Sequence, residues 1–212
     1  MPQFNSQEEA IAVHEQGHGF SEGRIKHFTP GTEFFDMHRM RIKWIVDNIE
    51  AGSKLLDIGC SAGEFITYIQ TVVPCRVTGI DVNSGAIAVA QEHGIDAKVA
   101  QAEALPFADK TFDVCLLSEI LEHLYNPLDC LSEARRVLKD NGMIIGSVPH
   151  RDSFILKNKP FDVYKFHARD YSPKLLREHL LKYFSKVVIK TVMVHLLEQG
   201  QSPFWLVFKG EK

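Results

Sequence analysis

The chain has 212 residues, of which 45% are hydrophobic and 24% charged, and its formal net charge is −3. This balance is enough for the core of one α/β domain and excludes a disordered chain. No apolar run is long enough to span a membrane, and no signal-peptide pattern is present, so we expect a cytoplasmic protein.

The four cysteines show neither a metal-binding nor a disulfide pattern. No two of them form a C-x-x-C pair, and most lie in or beside apolar runs. We expect reduced thiols that are mostly buried. They are Cys60, Cys75, Cys115 and Cys130.

Charge is distributed unevenly along the chain. Residues 51–150 hold 13 acidic and 7 basic side chains, whereas residues 151–190 hold 4 acidic and 10 basic ones. A basic segment on an acidic body suits an anionic substrate or partner, although a solvated lysine-rich surface has the same composition.

The segment HEQGHG, residues 14–19, has the His-Glu-x-x-His spacing of zinc metalloproteases. Those enzymes need both histidines on one helix. Here Gly17 and Gly19 flank the second histidine, and glycine is the usual residue just beyond a helix end. We therefore expect the helix to end near Gln16 and predict no zinc protease.

The first predicted elements are two helices. Ser6 followed by Glu9 is a capping-box pattern, and Thr32 is a candidate N-cap of the second helix. We expect residues 1–31 to form a flap and residues 32–212 to form the main domain. The second helix has apolar residues with a period near 3.6, namely Phe35, Met40, Trp44, Ile45 and Ile49.

From residue 53 onward, short apolar runs alternate with helical stretches. Five strands are predicted, over KLLDIG, CRVTGID, AKVAQ, FDVCLLS and GMIIGSV. Helices are predicted over GEFITYIQTV, SGAIAVAQEH and NPLDCLSEARRVL. This alternation is typical of a doubly wound α/β sheet.

The C-terminal part departs from that alternation. A helix opened by Ser172 and Pro173 is followed by two apolar runs, KVVIKTVMV and FWLVF. No helix-length segment separates the two runs, so we expect them to pair antiparallel at one edge of the sheet.

The stretch LLDIGCSAGEF, residues 55–65, predicts a ligand site. A buried strand ends at Asp57, passes through a tight loop between Gly59 and Gly63, and opens a helix. Small residues let the backbone approach a ligand at the carboxyl ends of the strands. Asp81 ends the next strand and suits the hydroxyls of a ribose.

This loop alone fits either a dinucleotide site or a methyltransferase. It is not G-x-G-x-x-G, because Ser61 and Glu64 occupy two of its positions. The charge of Glu64 would oppose a pyrophosphate at the helix start, so a nicotinamide oxidoreductase is disfavoured.

The next motif, AQAEALPFADKTFDVCLLSEILEHL, covers residues 100–124. With the loop and the terminal strand pair, it resembles the class I S-adenosylmethionine-dependent methyltransferases of the type 11, 12 and 23 group. The resemblance covers roughly residues 40 to 150. It implies a Rossmann-like, seven-stranded, mostly parallel sheet with an antiparallel last strand and helices on both faces.

The same resemblance implies the cofactor, S-adenosylmethionine, and the residues that bind it. Gln101 stands where the family usually has aspartate, but its carbonyl still suits the adenine amino group. The predicted set is Asp57, Gly59, Cys60, Ser61 and Gly63 around the methionine end, Asp81 at the ribose, Val82, Gln101 and Ala102 at the adenine, and Ser118 at the amino-acid moiety.

His123 is the candidate catalytic base, because it follows the strand that ends over the methyl group. Glu119, Glu122 and His123 also stand at i, i+3 and i+4, where a helical turn would bring them together around a divalent metal. This spacing resembles that of small-RNA 2′-O-methyltransferases. Base, metal ligand and structural role stay open.

Residues 149–171 are long for a connection, aromatic and basic, which predicts a substrate-binding insertion. With the flap, it would roof the acceptor site. The candidate lining residues are Phe28, Phe34, His38, Arg39, Tyr164, His167 and Arg169, with His167 also a candidate fourth metal ligand.

The sequence therefore predicts a methyltransferase acting on oxygen, with a small-molecule, sugar or glycan-linked acceptor that is anionic. Two alternatives stay open. One is a metal-dependent RNA 2′-O-methyltransferase, and the other is a catalytically silent cofactor-binding subunit.

Overall fold

The computed structural model describes residues 6–9, 11–12, 33–153, 167–196 and 200–212, without the side chains of 33–37 and of residue 196. One seven-stranded sheet organises them, in the order β3-β2-β1-β4-β5-β7-β6. Its strands are β1 Lys54–Ile58, β2 Arg76–Asp81, β3 Ala97–Val99, β4 Phe112–Ser118, β5 Leu138–Pro149, β6 Ser185–Leu196 and β7 Gly200–Glu211.

Neighbouring strands from β3 to β5 are parallel, and β7 runs antiparallel to both β5 and β6. The carboxyl ends of β1, β2, β4 and β5 therefore lie along one edge of the sheet. The strand order reverses beside β1, because β2 and β3 lie on one side of it and β4 and β5 lie on the other. Open α/β sheets bind their ligands at this position.

Helices cover both faces of this sheet. They are α1 Glu33–Val46, α2 Glu64–Val72, α3 Ser84–Glu92, α4 Pro127–Val137 and α5 Pro173–Leu180. Apolar residues of α4 and α5 pack in one core cluster, and those of α1, α2 and α3 pack in another. The predicted doubly wound fold with its antiparallel last strand is confirmed.

Side-chain caps mark the starts of α3 and α5, whereas Asn126 precedes Pro127 at the start of α4 without a side-chain capping bond. Asn83 caps α3 by accepting the N–H of Ala86, and Ser172 caps α5 by accepting the N–H of Leu175. Ser6 likewise accepts the N–H of Glu9 at 3.1 Å, which is half of the predicted capping box.

Helix α1 buries Ile45, and Ile49 just beyond its end is buried too, as predicted; Trp44 packs against the core, but Met40 does not lie on this buried face. Met40 is 60% exposed, whereas Arg41 is only 3% exposed. The prediction for Met40 was wrong because Met40 stands five residues before Ile45, and this spacing puts the two side chains on different faces of a helix.

All four cysteines are free thiols. Cys60, Cys115 and Cys130 are buried, and Cys75 is half-buried, as predicted. In the described ranges, no helix is both long and apolar enough to cross a membrane.

Candidate active site

The loop after β1 is shaped by two glycines in the left-handed conformation, Gly59 at φ +84° and Gly63 at φ +81°. A Cβ atom on Gly59 would lie 2.8 Å from Cδ1 of Ile120, and one on Gly63 would overlap Ile95. The N–H of Gly63 donates to the carbonyl of Cys60 at 2.9 Å, which closes the loop. Both positions therefore favour glycine, because the backbone is left-handed and Ile120 and Ile95 pack closely against it.

Asp81, at the end of β2, ties this loop to the next one. Its Oδ2 accepts the N–H of Ser61 at 2.9 Å, and its Oδ1 accepts the N–H of Asn83 at 2.9 Å. Ser61 itself has φ +50°. The two bonds fix the carboxylate at the carboxyl edge of the sheet, where the sequence predicted a ribose ligand.

Asp57 is buried beneath the loop, at 3% exposure. Burial first, and the nearby charges of Asp81 and Glu64 second, together raise the pKa of its carboxyl to about 7. Three acidic groups thus meet at this end of the sheet, which favours a cationic ligand.

The predicted adenine residues lie on the loop after β3. The N–H of Ala100 donates to the carbonyl of Asp81 at 3.0 Å, which places the start of this loop beside the end of β2. Gln101 is exposed, Ala102 is buried, and Val82 is half-buried. The structure thus brings the predicted ribose and adenine residues to one edge.

Ser118, at the end of β4, contacts a cation that the sequence analysis did not select. Arg41 Nη1 donates to Ser118 Oγ at 2.6 Å and to Ser147 Oγ at 2.9 Å. Burial lowers the pKa of Arg41, and the nearby Glu119 and Glu122 oppose that shift. The available signal was its place four residues before Ile45, on the buried face of α1.

Glu119 is held apart from the other two candidate metal ligands of its motif. It has φ +59°, and residues 121–123 form a turn instead of the helical turn that the spacing required. Its Oε1 accepts from Ser147 Oγ at 2.7 Å, and its Oε2 accepts from Trp205 Nε1 at 2.9 Å. Its carboxylate is thus part of the Arg41 and Ser147 network.

Glu122, His123 and His167 do come together, with one ligand atom from each within 4.8 Å of the others. The rings of His123 and His167 meet edge to face at 4.8 Å, and Nε2 of His123 lies 3.9 Å from Oε1 of Glu122. Among the described residues, neither carboxylate oxygen of Glu122 has a hydrogen-bond partner, although the residue is only 1% exposed.

Burial sets the protonation of this cluster. It raises the pKa of Glu122 well above its ordinary value, with the charge of Glu119 adding to the effect. It lowers the pKa of His167 to about 4, so that this imidazole is neutral near pH 7. The neutral imidazole of His167, together with the Glu122 carboxyl once it has lost its proton, can bind a cation.

The predicted roof is described in part. His38 is buried with its ring centroid 4.5 Å from that of Trp205, and Arg39 is exposed. Arg169 donates to the carbonyls of Leu124 and Tyr125, so its guanidinium holds the end of the turn that follows β4. The side chains of Phe28, Phe34 and Tyr164 lie outside the described residues, as do HEQGHG, most of the predicted flap and the middle of the 149–171 insertion.

Comparison with known proteins gives a consistent family. A family model described as a methyltransferase domain matches residues 56–146. The ubiquinone biosynthesis O-methyltransferase of Pseudomonas entomophila is 32% identical over 125 residues, which are 55% of this chain and 53% of that enzyme. An uncharacterised protein of Methanocaldococcus jannaschii is 36% identical over 102 residues, 48% of this chain and 47% of its own length.

Among solved structures, one from Thermotoga maritima is described as an S-adenosylmethionine-dependent methyltransferase, possible histamine N-methyltransferase. It is 25% identical, with a TM-score of 0.68, and the match covers 89% of this chain and 99% of that one. The chain spans about half the length of the curated relatives it matches.

Proposed function

Residues 56–146 form a domain of the class I S-adenosylmethionine-dependent methyltransferases, and on this premise we propose that the chain transfers a methyl group to an oxygen atom of a small-molecule acceptor. The observation that carries the proposal is the pair of loops at the ends of β1 and β2. Gly59 and Gly63 give the first loop its tight left-handed shape, and Asp81 is fixed by two backbone N–H groups.

The charges of these loops suit S-adenosylmethionine better than a dinucleotide. The cofactor carries a sulfonium and an ammonium group, and the nearby acids Asp57, Glu64 and Asp81 are our candidates for binding these cations and the ribose. A pyrophosphate would meet the same three acids unfavourably. Arg41, which donates to Ser118, is the candidate partner of the cofactor carboxylate.

When bound, the cofactor supplies an electrophilic methyl group and a neutral leaving group. The protein's residues then have to orient the acceptor and receive its proton. His123 is suited to the second task, because its half-buried imidazole borders both Glu122 and His167. The turn that carries it is held by Arg169, and the Glu122 carbonyl accepts the N–H of Ala168 at 2.7 Å.

Oxygen is favoured over nitrogen as the methylated atom by the relatives that are named ubiquinone biosynthesis O-methyltransferases. The Thermotoga maritima structure, whose description names an N-methyltransferase, has the lower identity of 25%. The basic composition of residues 151–190 favours an anionic acceptor, with sugars and glycan-linked groups as the leading class.

Calorimetric titration with S-adenosylhomocysteine, with NADH as the control ligand, tests the proposal. We expect micromolar binding of the nucleoside, loss of that binding in Asp81→Ala, and no binding of NADH. A chain that binds NADH but not the nucleoside would overturn the proposal. Binding without methyl transfer to any anionic acceptor would instead favour a silent cofactor-binding subunit.

A second candidate function is methylation of an RNA 2′-hydroxyl with a divalent metal. The observation that favours it is the Glu122, His123 and His167 cluster, whose carboxylate oxygens have no partner in the described part of the chain. One carboxylate and two imidazoles suit a transition-metal ion, which would acidify the hydroxyl.

Metal dependence distinguishes the two candidates. Under the second, methyl transfer to an RNA 3′ end requires Mn²⁺ or Mg²⁺, stops with EDTA, and fails in Glu122→Gln. Under the first, EDTA leaves methyl transfer intact, and His123→Ala slows it while cofactor affinity is retained.

A further inference from the structure

The loop that carries the predicted adenine residues is held at two anchors. The first is at Ala100, whose N–H donates to the carbonyl of Asp81 at 3.0 Å. The second begins at Leu105, whose N–H donates to Glu133 Oε2 at 2.8 Å. Between them lie residues 101–104, where the N–H of Ala104 donates to the carbonyl of Gln101 at 3.2 Å.

The second anchor is an ion pair on helix α4. Arg136 binds both carboxylate oxygens of Glu133, with Nε to Oε1 and Nη2 to Oε2 each at 2.8 Å. The two side chains stand at i and i+3, and the two-point geometry fixes the guanidinium plane. The partner's charge and hydrogen bonds lower the pKa of Glu133 and raise that of Arg136.

The guanidinium of Arg136, which is paired with Glu133, also donates hydrogen bonds to the loop backbone. Arg136 Nη2 donates to the carbonyl of Leu105 at 3.0 Å, and Nη1 donates to the carbonyl of Phe107 at 2.7 Å. Nη1 also donates to Asp109 Oδ1 at 2.8 Å. Together with the Leu105 N–H on Glu133, four bonds fix residues 105–109 to one helix turn.

From this arrangement we infer that Glu133 and Arg136 are positioning residues that set the adenine selectivity of the cofactor site. They act through the placement of Gln101 and Ala102, and the inference rests on the proposed function. The segment between the anchors is only four residues long, so a displacement of Leu105 is transmitted directly to the two residues that would face the adenine edge.

We call Glu133 and Arg136, with their bonds to residues 105–109, the clamp. A structural clamp, which only stabilises the fold, and a positioning clamp, which sets the place of the loop, predict different results. A structural clamp affects every ligand of the site equally, through the fraction of folded protein. A positioning clamp affects the adenine contacts alone, and leaves the ribose and methionine contacts of Asp81 and Asp57 in place. The ratio of two affinities therefore separates them.

The test compares S-adenosylhomocysteine with S-inosylhomocysteine, in which an oxo group replaces the adenine amino group. The wild-type chain is expected to prefer the adenine nucleoside by about tenfold, the effect of roughly one hydrogen bond. In Arg136→Gln this preference collapses towards equal affinity, and amide hydrogen exchange at Leu105 accelerates.

Arg135→Gln is the matched control. Arg135 neighbours Arg136 on α4 but donates to the carbonyl of Tyr183, away from the loop. Its substitution is expected to leave the affinity ratio unchanged. If Arg136→Gln does not fold, Glu133→Gln carries the same expectation, because the amide keeps one acceptor but loses the ion pair.

The possible results distinguish a failure of the proposed function from a failure of this inference alone. A wild-type chain that binds neither nucleoside overturns the proposed function, and this inference with it. A wild-type chain with adenine preference, and an Arg136→Gln variant that retains that preference, overturns the inference alone. The same holds if Arg135→Gln loses the preference as fully as Arg136→Gln.

Discussion

Asp57 lies in a strongly acidic environment for a buried residue. Its carboxyl is 3% exposed, and its pKa of about 7 reflects burial first and the charges of Asp81 and Glu64 second. Without a cationic ligand, the like charges of these three groups repel one another in a region of low dielectric constant, which has a cost in folding free energy. A cationic ligand relieves the cost, so cofactor binding and the ionisation of Asp57 are linked.

The affinity for S-adenosylmethionine should therefore increase with pH below about 7. In this range Asp57 must lose its proton for the cation to bind well, so the affinity increases by as much as about tenfold per pH unit. Calorimetry at pH 6 and pH 8, in buffers of different ionisation enthalpy, measures the affinity and the protons released. Asp57→Asn is the control, and an equally steep pH dependence in that variant would contradict the assignment.

The stability of the ligand-free chain has the opposite dependence on pH. When folding raises the pKa of an acid, the folded state keeps the proton up to a higher pH than the unfolded state does. The Asp57 contribution therefore lowers the free energy of unfolding as pH rises from about 4 to about 7. Urea unfolding of Asp57→Asn against the wild-type chain checks the sign, since the variant lacks this decline.

At the scale of elements, helix α1 is fastened to the sheet by a polar network. Arg41 reaches Ser118 on β4 and Ser147 on β5, and Glu119 connects the latter to Trp205 on β7. Three strands and one helix thus share a single set of hydrogen bonds at the carboxyl edge. The packing of α1 and the position of the turn after β4 are consequently coupled.

Arg41→Met is expected to lower the free energy of unfolding by about 1–3 kcal/mol, because it removes the donor to Ser118 and Ser147 and the positive charge beside Glu119. It should also weaken S-adenosylhomocysteine binding. Arg39→Met, on the exposed side of the same helix, should change stability by no more than about 0.5 kcal/mol. Urea titrations of both variants make the comparison, and equal effects would contradict a role for the network.

The strands and helices were predictable because their signals are local. The apolar runs, and Ser172 with Pro173 at the start of α5, mark boundaries that the structure reproduces to within a few residues. The contacts of Arg41 were not predictable, since its partners are 77 and 106 residues away. The left-handed conformation of Glu119 was equally invisible, because the same spacing permits a helix.

At the scale of the whole molecule, β7 joins the two parts of the sheet. It pairs with β5 over residues 205–211 and with β6 along most of its length. Residues Phe204, Trp205 and Val207 form a third core cluster with Val192 of β6. Leu206 and Phe208 lie in the cluster on the α4 and α5 face.

Leu206→Ala is expected to lower the free energy of unfolding by about 2–5 kcal/mol, as for other buried leucines replaced by alanine. Val188→Ala, on the neighbouring strand β6 and 37% exposed, should cost about 1 kcal/mol or less. Urea denaturation with a fluorescence readout suits both variants. A smaller loss for Leu206→Ala than for Val188→Ala would contradict the role of β7 as the joining strand.

The sheet order also dictates when this domain can fold during translation. In the described part of the chain, six strands precede β7, and β6 pairs with no strand of the sheet other than β7. While β7 is still inside the ribosome, the nascent chain has an open β5 edge and an unpaired β6, both available to other chains. We therefore expect the sheet to be completed only when β7 becomes available to pair with both β5 and β6.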